Sequence, residues 1–331
     1  MEKYYHGPER FAVTLIDSKG NPISNASISI NINGNDYTRV TDDKGIASMA
    51  INLNSGVYEA LTKYNTYEAK SAITIKSTVS GENITKMFRN GTQYYATFVD
   101  TSGKTLANGT AVEFNINGVF YTRYTNEKGV ARMNINLNPG EYIITAKNPN
   151  STEMYTNIIT VLPTIVENYD LTKYYKNASQ YTLKILDDQG NPVKAGVDVR
   201  LNINGVFYTR TSNDEGYVKM NINLEPGEYT ITAEYNGLMA SNKITVLSVI
   251  ETDDLSMKYR DGSKFNATIL DGQGRPYAGQ KVTFNINGVF YEKVTGDDGV
   301  ARLNINLMAG EYIITTSYNG MNAANKVTIS S

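Results

Sequence analysis

Asn202, Asn204, Tyr208 and Arg210 fall inside one nine-residue run, NINGVFYTR at 202–210. Asn115, Asn117, Tyr121 and Arg123 occupy the same run, letter for letter, at 115–123. Carboxamides donate and accept hydrogen bonds, a phenol ring stacks, and a guanidinium offers a planar fork of donors. Asn221 and Asn223 add two further amides. If the three strands concerned are neighbours, these groups form an outward face suited to stacking on sugar rings and bonding their hydroxyls. The plainer alternative is a soluble sheet face that uses amides in place of charges.

Other groups suggest other chemistry. Acidic or amide groups recur in turns at Asp42-Asp43, Asn126-Glu127, Asn213-Asp214-Glu215 and Asp297-Asp298. Calcium needs six to eight oxygens, and two or three per turn fit turn capping better. Asp253 and Asp254, beside Glu251, are weak calcium candidates of the same kind, and no cofactor is otherwise implied. A lysine–asparagine isopeptide crosslink needs a first-strand lysine, a last-strand asparagine and a buried acid between them. Lys173, Asn242 and Glu228 offer that set, and Lys86, Asn157 and Glu141 offer it again. Against it, Glu228 falls on the outward phase next to inward Tyr229, whereas the chemistry requires a buried acid with a shifted pKa. Val57 and Ser71 break the set in one further copy and Met257 in another. Asn25, Asn83, Asn90, Asn108, Asn150, Asn177 and Asn266 head Asn-x-Ser/Thr sequons, candidate glycosylation sites if the chain is exported. The one histidine, His6, lies in a polar stretch and reads as a solvated turn residue. There is no cysteine, which excludes disulfides and thiolate sites. No Ser/His/Asp set, phosphate loop or catalytic carboxylate pair can be assembled, so no catalytic residue and no enzyme is expected.

These residues are positioned by a repeat. The glycines that close the NING runs, Gly34, Gly118, Gly205 and Gly288, are 84, 87 and 83 residues apart. Gly56, Gly140, Gly227 and Gly310 keep the same spacings. The chain therefore holds four copies of one unit, each long enough for its own core. Within a unit the period is two. Val197, Val199, Leu201 and Ile203 alternate with polar residues, as do Val218, Met220, Ile222 and Leu224, and then Tyr229, Ile231 and Ala233. That pattern predicts half-buried strands. Asn-Gly between two such runs is a hairpin signal, because both turn positions accept φ > 0. In NINGVFYTR the Ile and the Phe or Tyr are expected to supply core contacts, and Asn-Gly to fix the register. Asn213–Gly216 reads as a type I turn, and Gly190-Asn191-Pro192 and Pro226-Gly227 as further turns. The expected fold is all-β: four tandem Ig-like Greek-key sandwiches of about seven strands, arranged as an elongated rod. The expected domains are 1–79, 80–165, 166–249 and 250–331. The joining segments 75–86, 161–173 and 246–258 read as short linkers, with Ile165, Val166 and Ile250 buried at domain junctions.

The 331 residues include 31 basic and 33 acidic side chains, a net charge of −2. No basic excess invites nucleic acid. No apolar run is long enough to span a bilayer, and the N-terminal MEKYYHGPERF lacks the apolar core of a signal peptide. An exported protein would then contain this chain as a fragment.

The pattern DLTKYYKNxSQYT at 170–182, DxQGNPV ending at Val193, NINGVFYTR, and NINLxPGEYTIT at 221–232 resembles the Ig-like repeats of adhesin-like surface proteins of methanogenic archaea. More distantly it is similar to carboxypeptidase-regulatory and Cna-B-like sandwiches. The resemblance covers nearly the whole chain. The first copy departs at Asn35-Asp36 and SGVYEAL, and the fourth at Met257 and Glu292-Lys293. It implies a non-enzymatic, extracellular cell-surface stalk that presents a binding region to other cells, surface glycans or proteins. The alternative is a lectin-like module that binds glycans directly through the Asn/Tyr/Arg face.

Overall fold

The computed structural model describes residues 1–331. The chain is all β, with 31 strands and no helix, so no helix is long and apolar enough to cross a membrane. It divides into two compact units, Met1–Pro163 and Thr164–Ser331, each made of two immunoglobulin-like sandwiches.

The third repeat illustrates the plan. One sheet has five strands, in the order Leu171–Tyr174, Leu238–Leu247, Gly227–Tyr235, Asp198–Ile203 and Val206–Thr211. The other has three, Ile165–Val166, Gln180–Ile185 and Tyr217–Asn221. Neighbours are antiparallel except Leu171–Tyr174, which runs parallel to the last strand. The period-two sets meet between the sheets. Tyr181, Leu183, Ile185, Val218 and Met220 from one side are buried with Val199, Leu201, Ile203, Ile231 and Ile244 from the other. The second and fourth repeats keep both sheets, and edge-to-face pairs join them at Tyr94–Phe114 (5.7 Å) and Phe265–Phe284 (5.8 Å). The first repeat has the five-stranded sheet and a two-stranded one, Arg10–Thr14 with Ile46–Ala50.

Each NING run forms the expected two-residue hairpin. Asn204 and Gly205 take φ of 53° and 77°, and the other three pairs match them. A β-carbon at Gly205 would touch nothing within 4 Å, so the need for glycine there is conformational. Gly205→Val therefore destabilises the third repeat by about 1–2 kcal/mol. Amide hydrogen exchange resolved by repeat should show the loss in the third repeat alone; an equal loss in all four would mean that the sandwiches do not own separate cores.

The joining segments are not linkers. Each contributes two short strands to the sandwich that follows. Val79–Gly81, Ile165–Val166 and Ile250–Thr252 join the three-stranded sheets. Ile84–Met87, Leu171–Tyr174 and Leu255–Lys258 cross to the five-stranded sheets, parallel to their last strands. Ile165 and Ile250 are accordingly buried in a following core and not at a junction, and Val166 is half-buried. Strands of two to four residues are too short to declare a period, which is why the sequence pattern passed over them. The boundaries expected at 79/80 and 165/166 pass through two of these strands.

Candidate functional site

The hairpin that carries Tyr208 and Arg210 forms the open edge of its five-stranded sheet. Because the turn holds two residues, Ile203 lies opposite Val206, Asn202 opposite Phe207, and Leu201 opposite Tyr208. Directly opposed residues share a face. Asn202 therefore shares the outer face with exposed Phe207, whereas Tyr208 and Arg210 lie on the inner side with Leu201 and Val199. The expected single face is split, with Asn204 in the turn between its parts. The same holds for Asn115, opposite Phe120, and for Tyr121, opposite Phe114, with Arg123 on Tyr121's side and Asn117 in the turn. Asn221 belongs to the other sheet, where it accepts a bond from Gln180 at 2.6 Å.

The two sheet edges nevertheless approach each other. Tyr208, Arg210, Asn221 and Asn223 line one recess of about 220 Å³. Arg210 Nη1 donates to the Thr209 carbonyl at 2.8 Å, and Cζ lies 5.4 Å from the Tyr208 ring centre. Arg123 and Arg39 make the same bond to Thr122 and Thr38. An inward-pointing charge folded over an edge carbonyl blunts an open strand edge against pairing. In the fourth repeat Glu292-Lys293 stands in place of Thr-Arg, and every residue of Val289–Val294 is exposed.

The crosslink set is not brought together. Lys173 lies opposite Val246, Asn242 opposite Ile231 and Glu228 opposite Thr245. Glu228 is exposed and paired with Lys243 at 2.5 Å. In the second repeat Lys86 lies opposite Val161, Asn157 opposite Ile144 and Glu141 opposite Thr160. The lysines serve as buried caps instead. Lys173 Nζ donates to the carbonyls of Ile222 (2.8 Å) and Ser179 (3.2 Å). Lys86 does so to Ile135 (2.8 Å), Thr92 and Asn90, and Lys3 to Ile51 (3.0 Å). Burial pulls the Lys86 and Lys173 amines below the ordinary lysine range. Met257 fills the position in the fourth repeat and is likewise buried. That methionine was the available signal that the lysine faces inward.

The asparagines have their own partners, which the sequence reading missed. Tyr181 Oη donates to Asn242 Oδ1 at 2.7 Å, and Tyr94 Oη to Asn157 Oδ1 at 2.7 Å. Burial pushes both phenols up to about 12, with the nearby Asp170 adding to it for Tyr181 and Tyr155 for Tyr94. The seat of the hydroxyl must be empty. A β-carbon on Gly81 would lie 2.4 Å from the Tyr94 oxygen, and in the third repeat the matching residue, Glu167, has a left-handed φ of 51°. The fourth repeat has Phe265 with Thr252 at that place, and its Asn325 Oδ1 is buried without a partner. A double-mutant cycle should thus show Phe265→Tyr gaining nothing alone and about 1 kcal/mol on top of Thr252→Gly. The double variant's fourth repeat also gains alkaline sensitivity. A phenol whose folded pKa is raised stabilises fully below about 10 and loses that stability as pH rises from 10 to 12. The buried lysines, with lowered folded pKa values, act in the opposite sense and only below 10.5. Urea titrations of parent and variants across pH 9–12 test both points; an additive cycle would refute the proposed seat.

The turn carboxylates and amides cap backbone. Asp42 Oδ1 accepts from the amides of Lys44 and Ile46, Asn126 Oδ1 from Lys128 and Val130, and Asn213 Oδ1 from Glu215 and Tyr217. Asp254 Oδ1 accepts from the Lys326 amide at 2.8 Å, so it caps a strand edge, and no third acid joins it and Asp253 in a cluster fit for a metal ion. Of the sequon asparagines, Asn25, Asn83, Asn108, Asn150 and Asn266 are exposed. Asn83 Oδ1 accepts from the Ile158 amide, and Asn90 Oδ1 from the Thr92 amide and hydroxyl. Asn177 donates through Nδ2 to the Gly272 carbonyl at 2.6 Å, so a glycan there would break that contact.

That last bond joins two sandwiches within one unit. In the second unit Tyr174 also packs on Gly274, and Lys176 Nζ donates to the Asn319 carbonyl at 2.7 Å. In the first unit Tyr4 packs on Gly103 in the same way. There the loop 148–153 of the second repeat adds a clamp. Buried Glu153 accepts from the Thr78 amide, the Thr78 hydroxyl and the Ser55 hydroxyl, each at 2.6 Å. Asn148 Nδ2 donates to the Thr78 and Val99 carbonyls.

Sheets of this order define tandem immunoglobulin-like sandwiches. No family model matches the chain, and no curated protein does. Among solved structures it is similar to the I9–I11 tandem from titin, at 15% identity over 76% of this chain and 99% of that one, with a TM-score of 0.31. It is similar to a Ca2+-stabilized adhesin that helps an Antarctic bacterium reach out and bind ice, at 16% identity over 99% and 95%, TM-score 0.21. It is also similar to invasin, a bacterial integrin-binding protein, at 15% identity over 99% and 77%, TM-score 0.23. The fold assignment rests on the sheets themselves.

Proposed function

We propose that the chain is a non-enzymatic, adhesin-like spacer on the outside of a cell, archaeal if the resemblance of its repeats holds, which carries a binding region toward other cells, glycans or surface proteins. The observation that carries this reading is the use to which the repeated residues are put. The NING turn pins a register, the buried lysine and tyrosine satisfy core polar groups, and the arginine covers a sheet edge. Each of the three has a structural task. A second reading, direct glycan binding, is favoured by the recess at Tyr208, Arg210, Asn221 and Asn223. The double variant Arg123→Ala with Arg210→Ala separates them. A spacer keeps its binding to cells and to a glycan array unchanged, with stability altered by under about 0.5 kcal/mol per site. A lectin loses most of its affinity with the fold intact, because each unpaired ligand hydroxyl costs about 1–3 kcal/mol.

A further inference from the structure

The outer face of the five-stranded sheet in the second repeat differs from its three counterparts. In those, a lysine on the last strand bonds to a glutamate on its neighbour: Lys70 to Glu59, Lys243 to Glu228 and Lys326 to Glu311, at 2.8, 2.5 and 2.7 Å. In the second repeat the last strand carries Ile158 where the third and fourth carry Lys243 and Lys326 and the first carries Ala72; Ile158 is 40% exposed and directly opposite Ile143, itself 64% exposed. Phe120, 65% exposed, lies on the same face beyond Asn115. Glu141 is left without its lysine, and Lys147, at the other end of the same strand, is in no ion pair either.

We infer that this face pairs with the same face of a second copy of the chain. Charge fixes the geometry. Glu141, Ile143, Thr145 and Lys147 point outward in turn along Gly140–Lys147. A two-fold axis crossing that strand between Ile143 and Thr145 stacks it antiparallel on its mate, with Glu141 of each copy opposite Lys147 of the other. Ile143 and Ile158 of both copies then gather about the axis. Stacking the strands parallel would set Glu141 against Glu141. The face offers roughly 400 Å² per copy from its strand spacing, and twice that is below the roughly 1,000 Å² of stable interfaces, so the pairing is weak and concentration-dependent. This inference stands whether or not the spacer reading does.

Sedimentation equilibrium of the whole chain from about 10 μM to 1 mM tests it. A monomer–dimer equilibrium is expected within that range. Ile158→Lys installs the residue that the third and fourth repeats carry at that position, so the sheet tolerates it, and it should raise the dissociation constant at least tenfold. Glu141→Lys should do the same, and Glu141→Lys with Lys147→Glu should restore pairing. Ile313→Lys, on the fourth repeat, should change nothing. A chain that stays monomeric at 1 mM, a dimer indifferent to Ile158→Lys, or a double charge swap that fails to rescue would each overturn the proposal.

Discussion

Glu153→Ala destabilises the first unit by roughly 2–4 kcal/mol, the largest single effect expected outside the hydrophobic cores. The carboxylate is buried, and it is the acceptor for the amide and hydroxyl of Thr78 and for the Ser55 hydroxyl. Alanine leaves the Thr78 amide and the Ser55 hydroxyl without their acceptor, while the Thr78 hydroxyl keeps Ser151, and each such loss costs about 1–3 kcal/mol, partly relieved where water can enter. The damage is confined by position. Thr78 lies between the strand Tyr67–Lys76 of the first repeat and the strand Val79–Gly81 of the second. The seam between the two should open while both cores stay closed. Hydrogen exchange at the Thr78 amide should rise by roughly 1.5 to 3 orders of magnitude, as about 1.4 kcal/mol is tenfold, with little change at Ile30 or Phe114. Glu153→Gln, which keeps an oxygen acceptor, should fall between. Unchanged protection at Thr78 would mean that the loop does not hold the seam.

Gly274→Ala destabilises the second unit by about 2–3 kcal/mol, and its control is built into the repeat. Gly20, Gly103 and Gly274 hold the same place in an Asp-x-x-Gly turn, with φ of 84°, 87° and 78°. The left-handed strain of an added β-carbon is thus alike in all three, about 1–2 kcal/mol. Their surroundings differ. A β-carbon on Gly20 meets nothing within 4 Å, whereas on Gly274 it would lie 2.3 Å from the Tyr174 hydroxyl oxygen and 2.4 Å from its ring. Tyr174 must leave its place against the fourth-repeat core. Gly20→Ala should therefore cost only the strain. The excess for Gly274→Ala measures the contact and should vanish in a Tyr174→Ala background. Chemical denaturation of the four variants gives the comparison, and equal losses for Gly20→Ala and Gly274→Ala would remove the contact from the account.

Much of this was legible in the residues. Alternation at Val197–Ile203 and Val218–Leu224 marked strands, and Asn-Gly marked hairpins, because side-chain period and turn conformation are local properties. What failed was nonlocal or too short. Tyr208 was assigned to the outer face because alternation was not carried across a two-residue turn, which preserves side from Leu201 to Tyr208. Lys173 looked chemical as an isolated letter, and Tyr181 was not singled out. Only alignment with Met257 and Phe265 in the fourth copy marks them as interior positions. Glu153 gave no sign, since its donors are 75 and 98 residues away along the chain.

The parallel strand at each sandwich's entrance has a mechanical consequence. In the second repeat the chain enters through Val79–Gly81, crosses to Ile84–Met87 and leaves along Met154–Leu162, the last two paired from Ile84–Ile159 to Met87–Leu162. Tension applied through the two ends pulls these strands past each other lengthwise. Every hydrogen bond between them is then strained at once, in shear, whereas an antiparallel pair pulled from one end would unzip bond by bond. Val79–Gly81, upstream of the strip, is drawn off first, and the rest of the sandwich opens only when the whole strip breaks. A short strand of few contacts, unremarkable at rest, therefore sets how hard each sandwich can be pulled.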